Sequence, residues 1–190
     1  MKKVYTSEQI SQALSDMARD IVNYHQDNVT IVSILKGGAF IGMHLIPKFL
    51  GTFKSLKFGF IGIESYIDGM LPSKLKVTYA IDLDVEDIKH RDVWIVDDIF
   101  ETGSTMEKAI EMLWQYEPAS IRTCVLIDKN KEVPLESRPS IVGLDYKDSG
   151  FLVGYGMGKG EEFRDLMSIY DYNGKEEQID EAVHNERVQS

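Results

Sequence analysis

The stretch that decides the fold is Val93-Trp94-Ile95-Val96-Asp97-Asp98-Ile99-Phe100-Glu101-Thr102-Gly103-Ser104-Thr105. Four apolar residues run into two aspartates, which predicts a buried strand over 93–96 that ends in polar side chains. Helical periodicity over 104–116 follows the Thr-Gly-Ser-Thr segment. Ligands of open parallel sheets bind beyond the carboxyl ends of the strands, so this stretch predicts a binding site between strand and helix.

The predicted turn combines an anion site with two carboxylates. Residues 102–105 place unpaired backbone amides and small hydroxyls at a helix start, which suits a monophosphate, and Gly103 permits close approach. The carboxylates of Asp97 and Asp98 accept hydrogen bonds from sugar hydroxyls. Ribose 5-phosphate carries both groups. An acidic pocket like that of response regulators, or an ordinary capped helix, is the alternative interpretation.

The rest of the chain predicts an α/β domain with a twisted parallel sheet and helices on both faces. We expect a small hood subdomain from the N-terminal segment and about residues 141–170, one domain over 1–172, and a polar tail over 173–190. Residues 67–76 are expected to form a long mobile loop. The periodicity predicts helices over 7–24 and 39–50, and strands over 29–35, 56–63, 77–81 and 120–127.

Composition excludes several classes of partner. The chain has 190 residues and 43% hydrophobic content, enough for one core. Its formal net charge is −10 and it holds no cluster of basic residues, which argues against nucleic acid. No apolar run is long enough to predict a membrane span. The single Cys124 and the lack of a signal-peptide pattern lead us to expect a cytoplasmic location.

Residues 93–105 resemble the motif with which type I phosphoribosyltransferases bind phosphoribosyl pyrophosphate (PRPP). Over about residues 5–172 the chain resembles the hypoxanthine-guanine phosphoribosyltransferase family. The resemblance implies the type I fold, Mg2+ as cofactor, and transfer of ribose 5-phosphate from PRPP to a 6-oxopurine, with release of pyrophosphate and a nucleoside 5′-monophosphate. It implies that Asp97 and Asp98 hold the ribose hydroxyls and, through ribose or water, the metal. Thr102, Gly103, Ser104 and Thr105 would hold the 5′-phosphate.

Two further segments resemble the family's pyrophosphate site. Leu35-Lys36-Gly37-Gly38 is similar to its pyrophosphate loop, in which a non-proline cis peptide precedes the lysine. Arg164 matches an arginine that contacts pyrophosphate, a task that suits a bidentate guanidinium. The alternative for residues 35–38 is a plain strand-to-helix turn. The alternative for Arg164 is a surface ion pair with Asp165 or Glu161.

The resemblance also implies a mobile lid and a base pocket. Ser65 and Tyr66 match the lid's Ser-Tyr pair; the alternative is a turn serine beside a partly buried tyrosine. Lys129 would donate to the purine 6-oxygen, Phe151 would stack on the base, the Leu152 carbonyl would accept from its edge, and Ile99 would form the opposite wall. A surface position for Lys129 and core packing for Phe151 are the alternatives.

Two positions depart from the family's pattern. Glu101 stands where the family usually has an aspartate that faces purine N7 as proposed general base. Gly158 stands where an ungapped alignment places a metal-binding aspartate, and Glu161 or Glu162 are candidates to replace it. From the sequence alone we expect the substitution Gly158→Asp to improve turnover.

Two other functions fit the same sequence. One is a nucleotide-binding regulator on the same fold, as in pyrimidine-operon attenuators, and the other is an enzyme for another base such as xanthine. The resemblance further implies a homodimer or homotetramer.

Overall fold

The computed structural model describes residues 1–24, 27–66, 74–79, 81–129, 133–134 and 137–172, with the backbone alone described for 64–66 and 74–79. Twelve strands and α-helices follow one another along this part of the chain: β1 (Lys2–Tyr5), α1 (Ser7–Tyr24), β2 (Asn28–Leu35), α2 (Gly37–Leu45), β3 (Ser55–Tyr66), β4 (Lys74–Tyr79), β5 (Asp92–Phe100), α3 (Ser104–Trp114), β6 (Ser120–Asp128), β7 (Ile141–Asp145), β8 (Phe151–Val153) and β9 (Ile169–Tyr172). Short 3₁₀ helices cover Ile46–Phe49 and Val85–Asp87.

A six-stranded sheet forms the centre of the molecule, in the order β4-β3-β2-β5-β6-β7. Strands β3, β2, β5, β6 and β7 run parallel, and β4 is antiparallel at the edge. Trp94 and Val96 of β5 pack with α1 and α2 on one face, while Val93 and Ile95 pack with α3 on the other. The predicted α/β class, with a parallel sheet and helices on both faces, is confirmed.

A second sheet, in the order β1-β9-β8, brings the start of the chain beside residues 151–172. Its strands pair antiparallel. The expectation that residues 141–145 belong to a separate subdomain is wrong, because β7 instead extends the large sheet by pairing with β6. The tail 173–190 lies outside the described residues.

Strand β5 is longer than predicted and includes both aspartates. It continues to Phe100 because β6 runs beside it in register, with Asp97 opposite Val125 and Phe100 opposite Asp128. The predicted loop 67–76 also changes, since β4 begins at Lys74 and pairs with β3. Residues 67–73 lie outside the described residues. Helix α2 starts two residues earlier than predicted, at Gly37.

Arg91, just before β5, ties together the amino ends of three strands. Its Nε donates to Thr30 Oγ1 at 2.8 Å, and its Nη2 donates to the carbonyls of Val29 and Ser55 at 2.8 and 3.0 Å. A guanidinium carries five donors in a rigid plane, so one side chain can satisfy acceptors on several strands. The opposite, carboxyl edge of the sheet carries the candidate site. In this part of the chain no helix combines the length and the apolar character needed to cross a bilayer.

Candidate functional site

A cavity of about 520 Å³ opens at the carboxyl ends of β2, β5 and β6, within the size range of small-molecule sites. It brings together nearly all the residues that the sequence predicts: Leu35, Lys36, Gly37, Asp97, Asp98, Ile99, Glu101, Thr102, Gly103, Ser104, Thr105, Lys129, Phe151, Leu152 and Arg164. The side chains of Ser65 and Tyr66 lie outside the described residues. Their backbone ends β3, where it pairs with β4.

The anion site lies where β5 passes into α3. Gly103 is the N-cap residue, with φ 84°, a left-handed conformation that favours glycine. A Cβ there would lie only 3.1 Å from the Phe100 ring. The hydroxyls of Thr102 and Ser104 are 2.8 Å apart, and helix α3 starts at Ser104. Residues 102–105 therefore line one side of the cavity at the start of a helix, and their binding of a phosphate stays a prediction.

The two aspartates form a desolvated pair. Asp97 Oδ1 accepts the Asp98 amide at 3.0 Å, and Asp98 Oδ1 accepts the Ile99 amide at 2.8 Å. Burial raises the pKa of Asp97 well above its usual range, and the nearby Asp98 charge raises it further. Burial also raises the pKa of Asp98, against opposing hydrogen bonds and the positive charge of Arg164. Hydroxyl donors or a cation placed against this pair would favour its ionised form.

The loop after β2 packs directly on this pair. The Leu35–Lys36 peptide is cis, as the resemblance implies. A Cβ at Gly37 would overlap the Asp98 carboxylate, and one at Gly38 would lie 2.7 Å from the Val96 carbonyl oxygen. These two glycines allow the start of α2 to approach β5, which places the loop beside the ribose-binding candidates.

Arg164 supports the loop that bounds the cavity on its other side. Its Nη1 donates to the Gly156 carbonyl at 2.6 Å and its Nη2 to the Gly160 carbonyl at 2.8 Å. Gly156 and Gly160 have φ of 91° and 62°, a backbone that suits glycine. Each terminal nitrogen of Arg164 thus uses one N–H on a backbone carbonyl, and the predicted contact of this arginine with pyrophosphate stays a prediction.

Gly158 lies against the same arginine. A Cβ on Gly158 would lie 2.8 Å from both Arg164 Cγ and the Glu162 carbonyl oxygen. The position at which the resemblance places an aspartate is therefore crowded here by the Arg164 side chain and the loop backbone.

Glu161 forms ion pairs with both cationic residues that are predicted to bind pyrophosphate, Lys36 and Arg164. Lys36 Nζ lies 2.6 Å from Glu161 Oε1, and Arg164 Nε lies 3.6 Å from Glu161 Oε2. The hydrogen bond and charge of Lys36 lower the pKa of Glu161. The alternative interpretation of Arg164, an ion pair with Glu161, thus describes a real contact of a residue that also lines the cavity.

The far end of the cavity presents a donor beside an acceptor. Lys129 has a side chain only 9% exposed, with Nζ 3.0 Å from Glu101 Oε1, so the surface alternative for Lys129 is wrong. Phe151 is 52% exposed and lines the cavity, so its core-packing alternative is also wrong. Leu152 is buried next to it and Ile99 lies across the cavity.

Some lining residues were not predicted. Met157 and Ile34 add apolar wall, and the carbonyls of Gly156 and Gly160 orient Arg164. The alternating glycines over 154–160 were the available signal, since closely spaced glycines indicate a loop whose carbonyls can turn inward.

Comparisons with known proteins agree with this geometry. The "Phosphoribosyl transferase domain" family profile matches residues 1–158. A hypoxanthine-guanine phosphoribosyltransferase of Aquifex aeolicus is 31% identical over 90% of this chain and 93% of its own. A hypoxanthine phosphoribosyltransferase of Haemophilus influenzae is 33% identical over 89% and 96%. The crystal structure of a Staphylococcus aureus hypoxanthine phosphoribosyltransferase has a TM-score of 0.77 at 26% identity, covering 90% of each chain. The chain therefore belongs to the phosphoribosyltransferase family, among the hypoxanthine(-guanine) phosphoribosyltransferases.

Proposed function

We propose that the protein is a purine-salvage enzyme that converts hypoxanthine, guanine or both, with PRPP, into the nucleoside 5′-monophosphate and pyrophosphate. The observation that carries this proposal is the pair of Lys129 Nζ and Glu101 Oε1, 3.0 Å apart beside Phe151. In its N7–H tautomer a 6-oxopurine presents an acceptor oxygen next to a donor nitrogen, whereas adenine presents an amino donor in place of that oxygen. A cationic donor next to a carboxylate acceptor complements the first edge and rejects the second.

The reaction follows from the order of groups along the cavity. Residues 102–105 hold the 5′-phosphate, Asp97 and Asp98 accept the ribose hydroxyls, and Lys36 with Arg164 attract the pyrophosphate. The base N9 bonds to C1′ as the bond from C1′ to pyrophosphate oxygen breaks, and Glu101 takes the proton that leaves N7. Binding both substrates in one cavity makes the displacement effectively unimolecular.

Magnesium fits this donor set in part. Asp97 and Asp98 supply the hard carboxylate oxygens that Mg2+ prefers, and Mg2+ commonly completes its shell with water and substrate oxygens. Among the described residues no group of three or more His, Cys, Asp or Glu side chains could hold a metal ion. A magnesium ion at this site would therefore need water and substrate oxygens as additional ligands. When bound, the ion would neutralise charge on pyrophosphate. Asp97 and Asp98 are the residues that would hold it, directly or through ribose and water.

The test is to incubate the pure protein with PRPP, Mg2+ and each of hypoxanthine, guanine, xanthine and adenine, and to measure nucleotide formation. We expect product with hypoxanthine or guanine and none with adenine. Product with xanthine alone would favour the alternative base. Tight PRPP or nucleotide binding without turnover, together with salt-dependent RNA binding, would favour the regulator.

Two substitutions of Glu101 test the length of its side chain and its charge separately. We expect Glu101→Asp to lower kcat about tenfold, because the shorter carboxylate withdraws from Lys129, and a displacement of ~1 Å can cost up to ~100-fold. Glu101→Gln keeps the length but removes the base, so we expect a loss of roughly 100-fold. Both are measured as kcat with hypoxanthine across pH. An Asp variant as fast as the wild type would show that the extra methylene has no positional role.

Gly158→Asp is expected to impair the enzyme, which reverses the expectation from the sequence. Its Cβ would displace Arg164 and the backbone at Glu162. We expect the KM for PRPP to rise at least about fivefold, as for a lost charged contact of roughly 1 kcal/mol. Gly158→Ala is the matched control, since it adds the same Cβ without the carboxylate. An Asp variant clearly faster than the Ala variant would mean that a carboxylate at this position assists the reaction.

A cytoplasmic location and a homodimer or homotetramer are further proposals. The first rests on the single, buried Cys124, and the second on the family resemblance.

A further inference from the structure

We propose that Glu161 is a built-in competitor of pyrophosphate: its carboxylate occupies the cations of the pyrophosphate site until PRPP displaces it. The inference rests on the proposed function, which makes Lys36 and Arg164 the pyrophosphate-binding cations. It assigns a role to Glu161 in setting how tightly the enzyme holds PRPP and how readily it releases pyrophosphate.

The geometry is that of an anion held between two cations. One carboxylate oxygen of Glu161 lies 2.6 Å from Lys36 Nζ, and the other lies 3.6 Å from Arg164 Nε. The two cations come from separate parts of the chain, the loop after β2 and the turn before β9. Both line the cavity. The Glu161 carboxylate thus contacts the two cations that, under the proposed function, a negatively charged oxygen of pyrophosphate would contact.

Exposure shows which partner can leave. The Glu161 side chain is 73% exposed and that of Lys36 is 55% exposed, so their contact is a surface ion pair of small strength. The Arg164 side chain is only 26% exposed, and carbonyls of the loop hold its terminal nitrogens. Glu161 can therefore swing into solvent while Arg164 stays in place. Pyrophosphate carries more negative charge than one carboxylate, so it wins the competition.

Removing the competitor has a predictable sign. Without the Glu161 charge, pyrophosphate no longer has to break an ion pair, and no carboxylate repels it once bound. A metal-ligand role for Glu161, replacing the carboxylate that Gly158 lacks, predicts the opposite sign in the presence of Mg2+. Glu161→Gln distinguishes the two roles, because the amide keeps the shape and loses the charge.

The matched control is Glu162→Gln. Glu162 is the next residue and is exposed, and its substitution by glutamine removes the same formal charge. Within the described residues its carboxylate makes no ion pair with Lys36 or Arg164. A general effect of net charge would change both variants alike, whereas competition at the site changes only the Glu161 variant.

The experiment is isothermal titration of inorganic pyrophosphate into the wild type, Glu161→Gln and Glu162→Gln, with and without Mg2+. We expect Glu161→Gln to bind about two- to fivefold more tightly, the scale of an exposed ion pair, and Glu162→Gln to match the wild type when Mg2+ is absent. The gain should shrink at high salt, which screens exposed charges. In turnover assays, pyrophosphate should inhibit the Glu161 variant more strongly.

Three results would overturn the inference. Equal affinities of the wild type and Glu161→Gln would remove the competition. Weaker binding by Glu161→Gln only with Mg2+ would make Glu161 a metal ligand. Equal gains in both variants would reduce the effect to net charge. If the wild type binds neither pyrophosphate nor PRPP, the proposed function fails as well, so the two failures are distinguishable.

Discussion

Asp97→Asn is expected to make the protein more stable and nearly inactive. Asp97 is buried, its pKa is raised well above the usual range by that burial and by Asp98, and an amide of the same shape carries no charge. The Asn oxygen can still accept the Asp98 amide. For the reaction, the ribose loses a charged acceptor in a site shielded from water, and we expect kcat/KM to fall about 100-fold or more.

The stability gain should depend on pH with a defined sign. A carboxyl whose pKa is raised on folding binds its proton more tightly in the folded state, so ionising it costs folding energy. That cost is absent below the unfolded pKa of about 3.9 and grows as pH rises toward the folded value. The advantage of Asn should therefore be largest at neutral pH and smallest near pH 4, with a Tm rise of about 2–4 °C for each kcal/mol gained.

The measurement is thermal unfolding of both proteins across this pH range, beside the hypoxanthine assay. Asp92→Asn is the matched control, because it makes the same change at the amino end of β5, away from the cavity. We expect it to keep activity within about twofold, as is usual for substitutions that touch no substrate. A destabilised Asp97→Asn protein at pH 7 would show that the Asp97 charge is compensated in the fold.

Lys129→Met is expected to remove base recognition and to leave PRPP binding intact. The Lys129 side chain is 9% exposed, so its hydrogen bond to the purine 6-oxygen would form in a largely desolvated site. Loss of a charged donor there costs about 2–3 kcal/mol, which corresponds to a drop of roughly 30- to 150-fold in kcat/KM for hypoxanthine. Adenine, which no longer faces a cation, should become a relatively better substrate.

Steady-state kinetics with both bases and direct titration with PRPP would measure these effects. Lys147→Met removes the same charge from an exposed position outside the cavity and is the matched control. An equal loss of PRPP affinity in Lys129→Met would assign the lysine to the shape of the site rather than to the base. An unchanged preference against adenine would place the discrimination elsewhere.

Local sequence patterns predicted those structural features that residues close together in the chain determine. The strand, carboxylates, glycine turn and helix start over 93–105 follow from hydrophobicity, helix capping and glycine conformation, which act within a few residues. Gly37-Gly38 and Lys129 were found because a family resemblance added long-range information that periodicity lacks. The cavity then unites these segments at one edge of the sheet.

Features that depend on distant pairing were predicted incorrectly or not at all. Strand β7 has five residues, and nothing in its composition tells whether it joins β6 or the small sheet. The composition of β4 likewise does not tell that this strand pairs antiparallel with β3 at the edge of the sheet. The crowding at Gly158 arises because Arg164 folds back over it, a contact that sequence spacing does not specify.

Arg91 joins the amino ends of β2, β3 and β5, so we expect rearrangement around a ligand at the opposite, carboxyl edge of the sheet. We expect amide hydrogens at the amino ends to exchange more slowly than those of the loops at the carboxyl ends, because exposed loops open in smaller units. Local stability should then decrease along the strands toward their carboxyl ends. Under the proposed function, the loops that admit and release PRPP can then open while the strands of the sheet stay paired.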